Sequence, residues 1–172
     1  MGERLTELSE VLWREREALD LVLFKLEEQR LLLQEPGMTR WLGHANREID
    51  VVLDQLCEME LNRAVACAAA AAELGVEDDA RLGALAAAAP PPWPCVIERH
   101  IAALRRLADE VLILAGANRI LLLEGLAEVR GGMDAPPRRP STRLLVDAAS
   151  YSAALATNER VLHPSLVDAV RG

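Results

Sequence analysis

Apolar residues recur along the first part of the chain in alternating steps of three and four. Leu5, Leu8, Leu12, Leu19, Val22, Leu26 and Leu33 keep this spacing, and Glu15 and Gln29 fill the slots where it turns polar. A repeat of about 3.5 residues holds side chains on one stripe of a supercoiling helix, which predicts a first helix over roughly residues 4–34. Between Leu19 and Leu26 the apolar character spreads to Leu21, Leu23 and Phe24. Burial on more than one side is therefore expected, which suits a bundle of three or more helices better than a two-stranded coil.

Pro36 and Gly37 should stop that helix. Thr39 is the expected N-cap of a second helix over roughly residues 39–74, closed by Leu74 and Gly75. Its seam reads Leu42, Ala45, Ile49, Val52, Leu56, Met59, Arg63, Ala66 and Ala70. The stretch Ala64–Ala72 is thin; its small side chains allow close backbone approach or leave room for a partner's larger groups. Residues 75–94 read as a connector, with a short helical turn near Ala80–Ala89 and a stiff run from Pro90 to Pro94. Trp93 is expected to pack against the end of the bundle.

A third helix is expected over roughly residues 95–130, with a seam of Ile97, Ile101, Leu104, Ala108, Val111, Ala115, Asn118, Leu122, Gly125 and Val129. An Asn in such a seam costs stability and fixes register. The expected fold is all-α: an elongated antiparallel bundle of three long helices with coiled-coil-like packing, plus short C-terminal helical segments. Residues 1–130 would form a rod about 45–50 Å long. Residues 131–172 would form a linker and an amphipathic tail.

Gly131 and Gly132 open that linker, and Met133–Thr142 is rich in Pro and small residues. In the tail, Leu144, Leu145, Ala148, Ser152 and Leu155 would share one helical face. Leu162, Leu166, Val167 and Val170 form a second apolar set around a break at His163 and Pro164. Each piece is too short to be stable alone. Docking on the rod as a fourth helix, folding on a partner, remaining free, and covering a groove until a partner displaces it all stay open.

Composition narrows the function. Half the residues (51%) are hydrophobic but only 3% are aromatic, a Leu, Val and Ala mass suited to helix packing. Residues 1–130 carry a balance of −9 and residues 131–172 a balance of +1, within a net charge of −8. No basic face is in prospect for nucleic acid, and an acidic body is poorly matched to anionic lipid. The N-terminus lacks an apolar signal region and the longest apolar run is too short to span a bilayer, so a cytoplasmic protein without membrane insertion is expected. Cys57, Cys67 and Cys95 have no C-x-x-C spacing and are expected to be buried free thiols.

Little chemistry is visible. His44, His100 and His163 lie far apart without metal-ligand spacing, and are expected at the surface or at helix ends. No metal and no cofactor is expected. Glu15, Arg16, Glu27, Glu28 and Arg30 read as a solvated surface. The run from Arg47 to Leu56, with Arg63 beyond, loosely resembles the first helix of all-helical chorismate mutases, which hold a dianion between Arg and Lys side chains. The spacing of Arg47 and Ile49 departs by a residue, and Lys25 is the sole Lys. The chain is expected not to be an enzyme.

A wider resemblance covers roughly residues 5–130. The first helix carries LWREREAL from Leu12 to Leu19, and the second ends in Leu61, Asn62, Arg63 and Ala64, with Glu73, Leu74 and Gly75 beyond. A short piece, Leu82–Leu85, follows, and the third helix carries Asn118, Arg119, Ile120, Leu121 and Leu122 before Leu126 and Val129. In this order the pieces resemble the FlgN family of flagellar export chaperones; the Pro-rich insert at 90–94 and the apolar end of the tail depart from it. The resemblance implies a cytosolic chaperone that binds the C-terminal helical region of hook-associated (hook–filament junction) proteins. It would deliver them to export gate components of the flagellar type III apparatus. Client contacts carried over are Asn118, Leu121, Leu122, Leu126 and Val129 of the third helix, and Leu144, Leu145, Tyr151 and Leu155 of the tail. Tyr151, a rigid ring with a polar tip, suits an anchor. A homodimer through an exposed seam is compatible with the pattern. The competing readings are a generic coiled-coil scaffold or secretion adaptor and, more remotely, a mutase-type bundle enzyme.

Overall fold

The computed structural model describes residues 2–35, 37–77, 81–133 and 142–163, with the side chains of residues 133 and 142–146 outside the description. The chain forms α1 (Glu3–Gln34), a 3-10 turn (Thr39–Trp41), α2 (Leu42–Leu74), α3 (Leu82–Ala88), α4 (Trp93–Met133) and α5 (Thr142–Val161). Among the described residues there is no strand. The all-α class and the three long helices are as the hydrophobic spacing predicts. At 32, 33 and 41 residues these helices reach about 48–61 Å.

The seams form the core. Leu5, Leu8, Leu12, Leu19, Val22 and Leu26 of α1 face Ile49, Val52 and Leu56 of α2 and Ile97, Leu104, Val111 and Ala115 of α4, all buried in one cluster. Complete burial of a Leu is worth about 2 kcal/mol, and Leu→Ala at these positions would cost about 3 kcal/mol. The direction of the helices follows from polar contacts. The Gly2 N–H donates to the Glu73 carboxylate, so α1 and α2 are antiparallel. Ser9 bonds to His100 and Asn118 to Gln29, so α1 and α4 run in the same sense.

A fourth side is filled by two pieces. Both α3 and α5 pack against α4 and α2. Leu82, Leu85 and Ala86 of α3 join the main cluster, and so does Val161 of α5. The rest of α5 packs in a second cluster with Leu42, Leu122 and Leu126. Over the described residues 142–163 the tail docks on the rod as a fourth helix.

Several local expectations are corrected. Thr39 opens a 3-10 turn instead of capping α2, and no side chain caps α2. Helix α4 starts at Trp93, since Pro94 falls in the first turn, where a missing N–H costs nothing. It also runs through Gly131 and Gly132; glycine weakens a helix by about 1 kcal/mol without ending it. Gly75 does end α2, in the left-handed conformation at φ 70°. Leu21 and Phe24 are exposed instead of buried on a second side, because the seam of α1 already faces α2 and α4. Phe24 lies beside the Lys25 ammonium.

Polar groups also depart from expectation. Cys57 and Cys95 are exposed and Cys67 is half-buried, all three free. His100 is buried rather than surface-bound, and Glu15 is fully buried. In α5 the buried face is Tyr151, Ala154, Thr157, Asn158 and Val161, while Ser152 is exposed. Leu166, Val167 and Val170 lie outside the described residues. The Ala-rich half of α2 leaves an open groove beside α1, lined in part by Val11, Met59, Val65 and Ala66.

Candidate functional site

Two polar layers cross the bundle where the seams change character. In the first, the Glu15 carboxylate of α1 faces Arg63 of α2 at 3.6 Å. Neither Glu15 oxygen has a hydrogen-bond partner among the described residues. Burial pushes this carboxyl up to about 7; Arg63 opposes the shift and Glu60 adds to it. Burial likewise raises Glu60 and the Cys67 thiol.

The second layer takes one amide from each of four helices. Gln29 of α1 donates through Nε2 to Asn46 Oδ1 of α2 at 2.8 Å. Its Oε1 accepts from Asn118 Nδ2 of α4 at 2.9 Å and from Asn158 Nδ2 of α5 at 2.8 Å. Asn118 also donates to the Leu26 carbonyl at 2.8 Å. All four side chains are buried. Asn46 Nδ2, Asn118 Oδ1 and Asn158 Oδ1 find no partner among the described residues. Such a layer adds little net stability but penalises any register that separates its members.

Beyond the amide layer lies the seat of α5. Leu122 and Leu126 of α4 and Leu42 of α2 pack against Tyr151 and Ala154, with Leu33, Val129, Ala148 and Leu155 half-buried around them. Gly125 makes the close approach possible, since a Cβ there would run into the Tyr151 ring. Burial, then Asp147 and Glu128, raise the Tyr151 phenol, which stays neutral. On the α2 side Arg160 donates to Asp50 at 2.5 Å and Asp54 at 2.6 Å, and Thr157 donates to Asp50 at 3.1 Å.

Of the residues singled out from sequence, Leu122, Leu126 and Val129 of α4 pack against Tyr151 and Leu155 of α5. Asn118, Leu122 and Leu126 are buried, and Leu121 and Val129 half-buried, along the end of α4. Tyr151 and Leu155 lie opposite them on α5. Leu144 and Leu145 belong to α5, but their side chains lie outside the description. Gln29, Asn46, Gly125, Asn158 and Arg160, with Asp50 and Asp54, complete the seat and were not singled out as site residues. A signal for α5 existed: Tyr151, Ala154, Asn158 and Val161 repeat at heptad spacing. A reading weighted to Leu passes over it.

The cations that a mutase-like reading would bring together are dispersed. Arg47 is exposed and bonded to His44, Lys25 donates to Glu28 and Glu48, and Arg63 lies against Glu15. Among the described residues no group of three His, Cys, Asp or Glu side chains could hold a metal ion, and no helix is long and apolar enough to cross a membrane. Residues 1–140 match the family model described as FlgN protein. No curated protein and no solved structure matches the chain.

Proposed function

Because the chain belongs to the FlgN family of cytoplasmic flagellar export chaperones, non-enzymatic proteins that bind hook-associated proteins, we propose that its client seat is the end of α4 now covered by α5. The observation that carries this reading is the mutual cover of Leu122, Leu126 and Val129 by Tyr151, Ala154 and Leu155. A client helix can reach the end of α4 as a helix in a groove when α5 gives way. The covering helix is suited to leaving. It is joined to α4 through a Pro-rich segment, and its buried face is mostly small or polar. Part of its hold is an exposed pair of ionic contacts, of a kind worth about 0–1 kcal/mol each.

Tyr151 and Leu155 act in this reading as resident competitors of the client. Export gate components are the second partners, receiving the loaded chaperone. A homodimer would use the outer apolar positions Trp13, Phe24 and Leu31, which are exposed on one face of α1.

The test is an affinity measurement with the C-terminal helical segment of a hook-associated protein from the same genome. Arg160→Glu loosens α5 without touching the end of α4, and should tighten client binding about tenfold. Equal or weaker binding by that variant would remove α5 as a competitor. A second seat has its own observation: Ile113, Ile120 and Leu123 are exposed on the outer face of α4. Client binding insensitive to α5 would favour it.

A further inference from the structure

We infer that the seat under α5 selects its client helix by a three-point pattern. The pattern is an aromatic ring opposite Gly125, a side-chain amide seven residues later, and a cation two residues beyond that. This inference rests on the client seat proposed above and names the chemistry that seat would recognise. Tyr151, Asn158 and Arg160 hold these positions in α5, which therefore serves as a template for the helix that replaces it.

Each point has its own physical ground. Opposite Gly125 the missing Cβ leaves a recess occupied by a flat ring lying against backbone. A β-branched or short side chain there would leave the recess underfilled, with a loss of dispersion contacts. At the amide layer, Gln29 Oε1 accepts two bonds, one of them from α5. Asn118 Oδ1 and Asn46 Nδ2 are buried and already lack partners. A Leu arriving in place of an amide would face this unsatisfied polar surface, whereas an amide donates to Gln29 as Asn158 does, although Asn158 Oδ1 itself has no partner among the described residues. On the α2 side, Asp50 and Asp54 present two carboxylates one turn apart to a single guanidinium. A client with an acid at that point would be repelled, and a cation attracted.

Orientation follows from the same contacts. Tyr151 meets Gly125 while Asn158, further along α5, meets Asn118's partner Gln29. An occupant carrying the pattern must therefore run antiparallel to α4.

The experiment uses the full chain carrying Arg160→Glu and, as probe, a fluorescent peptide of residues 142–163 with the natural sequence. The natural peptide should bind, and the peptide variants Tyr151→Ala, Asn158→Leu and Arg160→Glu should each bind at least tenfold more weakly. Equal or tighter binding by the Asn158→Leu peptide would overturn the amide point and with it the pattern. The stronger check is a reversal. In a chain also carrying Gln29→Leu, Asn46→Leu and Asn118→Leu, the Asn158→Leu peptide should bind more tightly than the natural one. An unchanged order would mean that the layer does not read the occupant.

The client segment should displace the natural peptide competitively. Client binding that leaves the probe seated would sink this inference and leave the chaperone reading standing. No client binding by the unmodified chain or by the loosened variant would sink the client seat, and this inference with it.

Discussion

Single residues decide how the bundle is specified. Leu at a seam position is legible because its burial follows from spacing alone. A polar residue in the same slot is harder, since its meaning depends on what another helix places opposite. Glu15 illustrates this: its spacing puts it in the seam, and its charge suggests the surface. It is buried because α2 sets Arg63 beside it. The consequence can be measured. An acid whose pKa rises on folding binds its proton more tightly in the folded chain, so its presence favours folding at low pH. Its cost is absent below the ordinary value of 4.5, grows as pH climbs towards about 7, and is constant above. Urea unfolding at pH 5 and pH 8 should therefore show Glu15→Gln losing less stability over that interval than the natural chain. The difference should be on the order of 3 kcal/mol. Equal pH dependence in the two proteins would show that Glu15 titrates normally.

Helices were easier to locate than their faces. The seams of α1, α2 and α4 could be drawn from Leu, Ile and Val spacing, and they are the buried faces found. The ends were less legible: Gly131 and Gly132 do not stop α4, because helix continuation depends on neighbours as well as propensity. In α5 the face drawn from Leu and Ala spacing is met in part: Ala148 and Leu155 are half-buried against the second cluster, while Ser152 is exposed. The true seam contains Ala154 and Asn158, which carry little hydrophobic signal of their own. Asn158 becomes intelligible only with Gln29 and Asn118 beside it. At this scale the bundle of α1 to α4 should stand without α5, since among the described residues its main cluster takes only Val161 and partly buried Leu162 from beyond α4. A chain ending at Met133 should keep a cooperative helical melt by circular dichroism. It should lose roughly 2–4 kcal/mol through exposure of Leu42, Leu122 and Leu126. A non-cooperative melt would mean that α5 is an obligatory part of the core.

For the molecule as a whole, the all-α architecture and the chaperone family were both readable from sequence, the first by period and the second by the order of its pieces. The sequence leaves the resting place of the tail open; in the structure Leu122, Leu126 and Val129 of α4 pack against Tyr151, Ala154 and Leu155 of α5. That arrangement turns a question about residues into one about competition: under the proposed client seat, the end of α4 would hold a client or α5, but not both. Hydrogen exchange on the full chain, alone and with the C-terminal segment of a hook-associated protein, reads both helices at once. Client binding should slow exchange across residues 118–129 and speed it across residues 147–161. Slower exchange in both stretches, or no change in α5, would contradict displacement and place the client elsewhere.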